Sequence, residues 1–147
     1  ASDHAGFELK KFLLDKLREA GYEVTDFGDF NPIPDDDYPD FVIPLAEAVA
    51  KGELEKGIAV CGSGVGASIA ANKVAGARAC LIHEEFSAKQ GVEDDNMNII
   101  CLGGRVIENE FAWELINIFL AAKFSGAERH VRRLEKVAAI EKRRNLE

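Results

Sequence analysis

At 147 residues the chain fits one domain, long enough to bury a single sizeable core and too short for two large ones. Apolar residues make up 47% and charged residues 30%, and no run of about 18 apolar residues is present to span a membrane. The net charge of -8 argues against a general affinity for nucleic acid or anionic lipid, because both need a basic face.

In chain order, Leu9, Phe12, Leu13, Leu17 and Ala20 recur at helical spacing, and Gly21 stops the pattern. A strand is expected over Tyr22 to Phe27, then a loop punctuated by Pro32, Pro34 and Pro39 and carrying Asp35-Asp36-Asp37-Tyr38. Pro39 suits the first turn of the next helix, whereas Pro44 lies inside its pattern and is expected to kink it or shift its start. Next come a strand ending at Cys61, a glycine turn and an Ala-rich helix, then a strand over Ala77 to Ile82 and a short helix near Glu85 to Gln90. A strand at Asn98 to Leu102 and a long amphipathic helix from about Glu108 to Lys123 follow, and a last helix from Glu128 is expected to bury Val131, Leu134, Val137, Ala138 and Ile140.

Strands alternating with helices at this rhythm predict an α/β fold, a doubly wound parallel sheet in three α-β-α layers, Rossmann- or flavodoxin-like. Such a sheet normally opens with a strand, but this chain opens at Ala1-Ser2-Asp3-His4, where that strand should end. The expectation is that about six to eight residues, a strand's length, precede Ala1. Cys61, Cys80 and Cys101 are odd in number and scattered singly, which argues against a disulfide framework or a paired-thiol zinc site and points to a reducing cytoplasm.

The chemistry concentrates in Gly57-Ile-Ala-Val-Cys61-Gly62-Ser63-Gly64-Val65-Gly66-Ala67. Glycines at a strand-to-helix turn let backbone amides approach an anion, and the helix brings its unpaired N–H groups to the same place. Gly62-x-Gly64-x-x-Ala67, with Glu84 and Glu85 about 20 residues on, also reads as a dinucleotide fingerprint. Against that, the stretch sits mid-chain with no room for a second nucleotide half. A thiol beside helix-end amides is favoured as thiolate, so Cys61 is a candidate base or nucleophile. Cys80 and Cys101 read as small buried hydrophobes. Residues 128–147 carry seven basic groups against four acidic ones. Arg129 and Arg133, four apart, share a helix face where two guanidinium forks suit a phosphate, whereas His130 lies off that face and is open between ligand contact and satisfied surface.

Taken together, Asp3-His4-Ala5-Gly6, Asp37-Tyr38-Pro39, Cys61-Gly-Ser-Gly-Val-Gly66 with Ala70-Ala-Asn-Lys73, Gly103-Gly-Arg105, and Arg129-His-x-x-Arg133 ending in Glu141-x-Arg-Arg-Asn145 resemble the type B ribose-5-phosphate isomerases and the related galactose-6-phosphate isomerases. The resemblance implies a metal-independent, cofactor-free aldose-ketose isomerase of a small phosphorylated sugar, by default ribose 5-phosphate to ribulose 5-phosphate. It also implies a homodimer, possibly paired into a tetramer, whose active sites borrow residues from both subunits, with the helix at about 128–145 packing on the partner. Cys61 matches the base that moves a proton between neighbouring carbons through an enediolate. The amides of Gly62, Gly64 and Gly66 with Ser63 match its oxyanion site. Arg105, Arg129 and Arg133, with His4 and His130, match phosphate or substrate contacts, and Asp3 and Tyr38 line the sugar.

One departure stands out. Many family members carry a His-Asn motif that opens the furanose ring, and here Asp94-Asp95 occupies that place. Either Asp94 takes over the proton transfer beside Asp95, or the substrate needs no ring opening. The latter holds for a four-carbon 4-phosphate of the erythrose/erythrulose type, whose O4 is esterified. His83 is a further candidate acid, with a structural role as the alternative. The rival class is a non-catalytic sugar-phosphate or nucleotide-binding domain.

Overall fold

The computed structural model describes residues 1–146; Glu147, counted in the tail charge, lies outside them. Its elements are α1 (Phe7–Glu19), α2 (Tyr38–Ala50), β1 (Gly57–Cys61), α3 (Val65–Ala71), β2 (Ala79–Leu81), α4 (Glu85–Asp95), β3 (Ile99–Gly103), α5 (Asn109–Ala121) and α6 (Glu128–Arg144). The sheet is parallel with order β1-β3-β2, so the last strand inserts between the first two. Ala1 to Asp3 lie along the free edge of β1: Val60 N–H donates to Ala1 O at 2.9 Å and Asp3 N–H to Val60 O at 3.4 Å.

Alternation along the strands sorts the core into two layers. Val60, Ile100 and Leu102 face α1, α4 and α5, packing with Leu9, Leu13, Val92, Leu115, Ile116 and Phe119. Ala59, Cys61, Ile99 and Cys101 face α2 and α3, packing with Val42, Leu45, Ala67 and Ala71. The small residues on this second side let α3 lie close to the sheet. That closeness sets the short turn from Cys61 into α3.

Three expectations are corrected. Tyr22 to Phe27 form no ladder strand: Tyr22 and Glu23 are exposed, Val24 and Phe27 pack on the core by side chain, and the backbone hydrogen bonds come just after the segment, where Ser2 exchanges them with Gly28 and Asp29, both 2.8 Å. Pro44 does not shift the start of α2. The helix runs unbroken from Tyr38 with Pro39 in its first turn, and Pro44 lies on its exposed face. The apolar residues of α6 are largely uncovered, with Val131, Val137 and Ile140 at 36, 55 and 49% exposure. The helix lies outside both layers and touches α4, and its only buried residue is His130. The helix expected near Glu85 to Gln90 runs on to Asp95, capped by the Glu84 carboxylate on Ser87 N–H at 3.0 Å.

Candidate active site

Chain direction divides the predicted site residues into two groups. Every strand points its carboxyl end the same way, and that edge carries Asp3, His4, Cys61 to Gly66, His83 and Gly103 to Arg105, with Tyr38 opening α2 beside them. Helices return to the opposite edge, so Asp94 and Asp95 at the end of α4, and Arg129, His130 and Arg133 on α6, lie there. Asn98 O accepts from Gly57 N–H at that edge, and Ser125 N–H donates to Glu93 O at 2.9 Å.

At the carboxyl edge, β1 ends in Cys61, only 4% exposed, with its sulfur accepting the Gly64 N–H at 3.1 Å. The turn depends on glycine: Gly64 has φ +83°, and a Cβ there would meet Leu81 Cδ1 at 2.5 Å and the Leu102 carbonyl carbon at 2.9 Å. A Cβ on Gly66 would strike the Tyr38 ring at 2.6 Å, so that glycine keeps the aromatic face against the loop. Ser63 is exposed, and its Oγ accepts Val65 N–H at 3.2 Å. The Gly103-Gly104-Arg105 turn is bonded to the cysteine loop by Gly104 N–H to Cys61 O (2.8 Å) and Arg105 N–H to Gly62 O (3.0 Å). The Arg105 guanidinium lies 3.7 Å from the place of a Gly62 Cβ. Amides, a cation and a buried sulfur therefore converge on one loop. That combination can hold an anion and move a proton beside it.

His83 ends up structural. Its Nε2 accepts Gly103 N–H at 3.2 Å, which requires the neutral imidazole, and desolvation lowers its affinity for a proton. Burial raises the pKa of both Cys80 and Cys101, which disfavours their thiolates.

Sequence reasoning missed the partner of His4. Asp36, 32 residues away in the acidic loop, accepts from both the His4 backbone N–H (3.0 Å) and the His4 Nδ1 (2.6 Å) through one oxygen. Burial would raise the Asp36 carboxyl, but the neighbouring Asp29 carboxyl and hydrogen bonds from the amide and ring of His4 and from Ile33 N–H outweigh it and hold it at about 2. Asp29 is the reverse case: burial raises its carboxyl, the neighbouring Asp36 raises it further, and its Oδ2 has no hydrogen-bond partner among the described residues. No sequence signal pairs these groups, since the loop between them has no period. Asp3, His4 and Asp36 could each offer a ligand atom to a cation, but His4 and Asp36 spend theirs on one another.

At the amino edge, His130 is 4% exposed, with Nδ1 at 2.6 Å from Ser125 Oγ and Nε2 at 3.5 Å from Asp94 Oδ1. Asp94 also accepts from Gln90 Nε2 at 2.9 Å. His130 thus ties α6 to α4 from inside the chain, while Arg129 and Arg133 project from the exposed surface of α6. Asp95 is exposed.

A family model described as Ribose/Galactose Isomerase matches residues 1–137. The chain belongs to that family. It is 43% identical over 143 residues to ribose-5-phosphate isomerase B of Escherichia coli strain K12, covering 97% of this chain and 95% of the relative. It is 40% identical over 126 residues to D-erythrulose-4-phosphate isomerase of Pectobacterium atrosepticum, covering 85% and 82%. Among solved structures, ribose-5-phosphate isomerase B from Mycoplasma genitalium with bound ribulose 5-phosphate superposes with a TM-score of 0.91 at 39% identity, covering 96% of this chain and 93% of that one. The three-layer α/β architecture is the one expected, and among the described residues no helix is long and apolar enough to cross a membrane.

Proposed function

We propose that the protein interconverts an aldose and a ketose phosphate, with ribose 5-phosphate and ribulose 5-phosphate as its substrates and Cys61 as the base. The observation that carries this reading is the buried Cys61 sulfur set on the Gly64 amide at 3.1 Å, at the rim of a loop of glycine amides. A thiolate there removes the proton from the carbon beside the carbonyl. The amides of Gly62, Gly64 and Gly66 with Ser63 then hold the enediolate oxygen, and the thiol returns the proton to the neighbouring carbon. Fixed dipoles aimed at a charge that exists only during reaction stabilise the transition state more than the substrate. Arg105, Asp3, His4 and Tyr38 line the sugar from the same edge.

The complete site needs a second copy of the chain. Arg129 and Arg133 project from α6 at the far edge of the sheet, beside an apolar face with Val137 and Ile140 about half exposed. A twofold homodimer buries that face and carries the arginines of one chain to the phosphate bound by the other, with His130 bracing α6. Asp94 and Asp95 travel with the same edge. A single 147-residue domain in a reducing cytoplasm, without cofactor or metal, fits this chemistry, and pairing of dimers into tetramers is compatible with it.

A tetrose-4-phosphate substrate is the second reading. It is favoured by the 40% identity to a relative named for erythrulose 4-phosphate and by aspartate at position 94. Steady-state rates on ribose 5-phosphate and erythrose 4-phosphate decide between them. A kcat/KM at least tenfold higher for the pentose supports the first reading, and the reverse supports the second. Solvent deuterium entering the carbon beside the carbonyl is expected in either case, and its absence would remove the isomerase assignment.

A further inference from the structure

The helix that carries Arg129 and Arg133 is loosely packed on its own chain. Val131, Val137 and Ile140 of α6 are exposed, and a hollow of about 260 Å³ opens between Leu134, Val137 and Ala138 on the helix and Arg78, Asn96 and Phe124 on the body. Where apolar packing is this sparse, polar contacts set the direction of a helix. Toward the far end of α6, both Glu141 carboxylate oxygens accept Gly76 N–H, at 3.2 and 3.1 Å. The near end, where the arginines stand, is held differently.

Contacts there converge on Asp94. Ser125 donates its N–H to Glu93 O at 2.9 Å, and its Oγ accepts Ala127 N–H at 3.1 Å and meets His130 Nδ1 at 2.6 Å. His130 Nε2 faces Asp94 Oδ1 at 3.5 Å, and Asp94 Oδ2 accepts from Gln90 Nε2 at 2.9 Å, so both carboxylate oxygens are engaged within the chain. Ser125 Oγ can donate to Nδ1, so the imidazole can present a hydrogen to Asp94 whether it is neutral or protonated. His130 is the buried residue of α6 and lies between Arg129 and Arg133 in the chain. A helix is rigid across one turn, so whatever turns His130 turns both arginines with it.

Resting on the reading of Arg129 and Arg133 as the phosphate clamp, we propose that Asp94 is a positioning residue for that clamp. Held by Gln90, it fixes His130, and through His130 the direction in which α6 offers its arginines. Asp94 is then not an acid that opens a sugar ring, because its two oxygens are occupied in holding the helix. The sign of its effect on anion binding separates this role from simple charge. A carboxylate near two guanidinium groups lowers the local positive potential, so removing it would by charge alone tighten a phosphate. Because Asp94 aims the arginines, removing it weakens the phosphate.

Titration calorimetry with inorganic phosphate reports the clamp without any chemistry. Asp94→Ala is expected to weaken phosphate about tenfold, within the scale of a group displaced by less than an ångström. KM for ribose 5-phosphate and for erythrose 4-phosphate should rise by the same factor, with kcat falling less. Asp94→Asn, which keeps an acceptor for Gln90 and His130, should recover part of the loss. Ser125→Ala, at an exposed position, should show the same pattern to a smaller degree, and it carries the test if Asp94→Ala does not fold. In an Arg129→Ala/Arg133→Ala background, adding Asp94→Ala should cost nothing more, because its effect passes through the arginines. Tighter phosphate binding in Asp94→Ala overturns the proposal, as does a lower melting temperature with phosphate affinity and KM unchanged. A kcat that falls on ribose 5-phosphate but not on erythrose 4-phosphate, which cannot close a furanose, makes Asp94 an acid–base group and overturns it too. Unchanged phosphate affinity in Arg129→Ala/Arg133→Ala itself removes the clamp reading, and the positioning role with it.

Discussion

The Gly64 amide donates to the Cys61 sulfur across three residues of backbone at 3.1 Å. The residue that holds the sulfur in place is therefore the same one whose left-handed conformation starts α3. The position of the sulfur and the shape of the loop therefore depend on each other.

Cys61→Ala is expected to lower turnover by about 10²–10⁴, the scale of a missing general base. Affinity for a non-reacting phosphorylated sugar analogue should stay within a few-fold, because no phosphate contact is removed. Titration calorimetry alongside kcat checks both, and wild-type turnover in the variant would remove Cys61 as the base.

Gly64→Ala forces a side chain onto a backbone at φ +83° and into contacts of 2.5 and 2.9 Å. The conformational part alone costs about 1–2 kcal/mol. Denaturant midpoints should fall accordingly, and activity should fall further, because moving the 64 amide misplaces the sulfur. A stable and fully active variant would contradict the turn described above.

His83→Leu orphans the Gly103 N–H, a loss of about 1–3 kcal/mol for a buried donor, whereas His83→Gln keeps an acceptor and should lose less. The fold disfavours protonated His83, so its contribution is complete above the unfolded value near 6.5 and declines as pH falls below it. Melting curves at pH 7.5 and 5.5 should show a wild-type decrement that is smaller in His83→Gln.

Asp29→Asn should raise stability at pH 7. Asp29 has a raised pKa in the folded state, so its favourable state is the protonated one, present below the unfolded value near 4 and lost as pH rises through the folded pKa. Asparagine supplies a neutral group at every pH. The gain should shrink to nothing by about pH 3.5, and a gain that persisted there would mean that Asp29 is not the strained carboxyl.

Arg129→Ala and Cys61→Ala chains should complement one another. In the twofold dimer proposed above, each homodimer of a variant would lack one half of both sites, but a mixed dimer would contain one complete site. Refolding the two in equal amounts is expected to restore about a quarter of wild-type activity, as random pairing in a twofold dimer requires. Absence of recovery would argue that each chain is self-sufficient. Val137→Asp should give monomers by sedimentation.

Local order was legible from the residues. The apolar spacing of α1 and α5, the Ala-rich start of α3 and the glycines after Cys61 each dictate their own geometry through periodicity or sterics, and the structure follows them closely. Tyr22 to Phe27 has the composition of a strand but forms no ladder, because pairing depends on what lies beside it. The apolar stripe of α6 was equally readable, but a stripe says only that a face must be covered, not by which chain.

Sequence by itself determined the glycine loop after Cys61 and the succession of strands and helices from Gly57 on, because these rest on bonds and clashes among near neighbours. Tertiary structure decided the strand order β1-β3-β2, the division of the predicted site between opposite edges of the sheet, and the pairing of His4 with Asp36 across 32 residues. Those depend on where chain segments distant in sequence come to rest. No local pattern encodes that, since it follows from packing the two faces of the sheet as a whole.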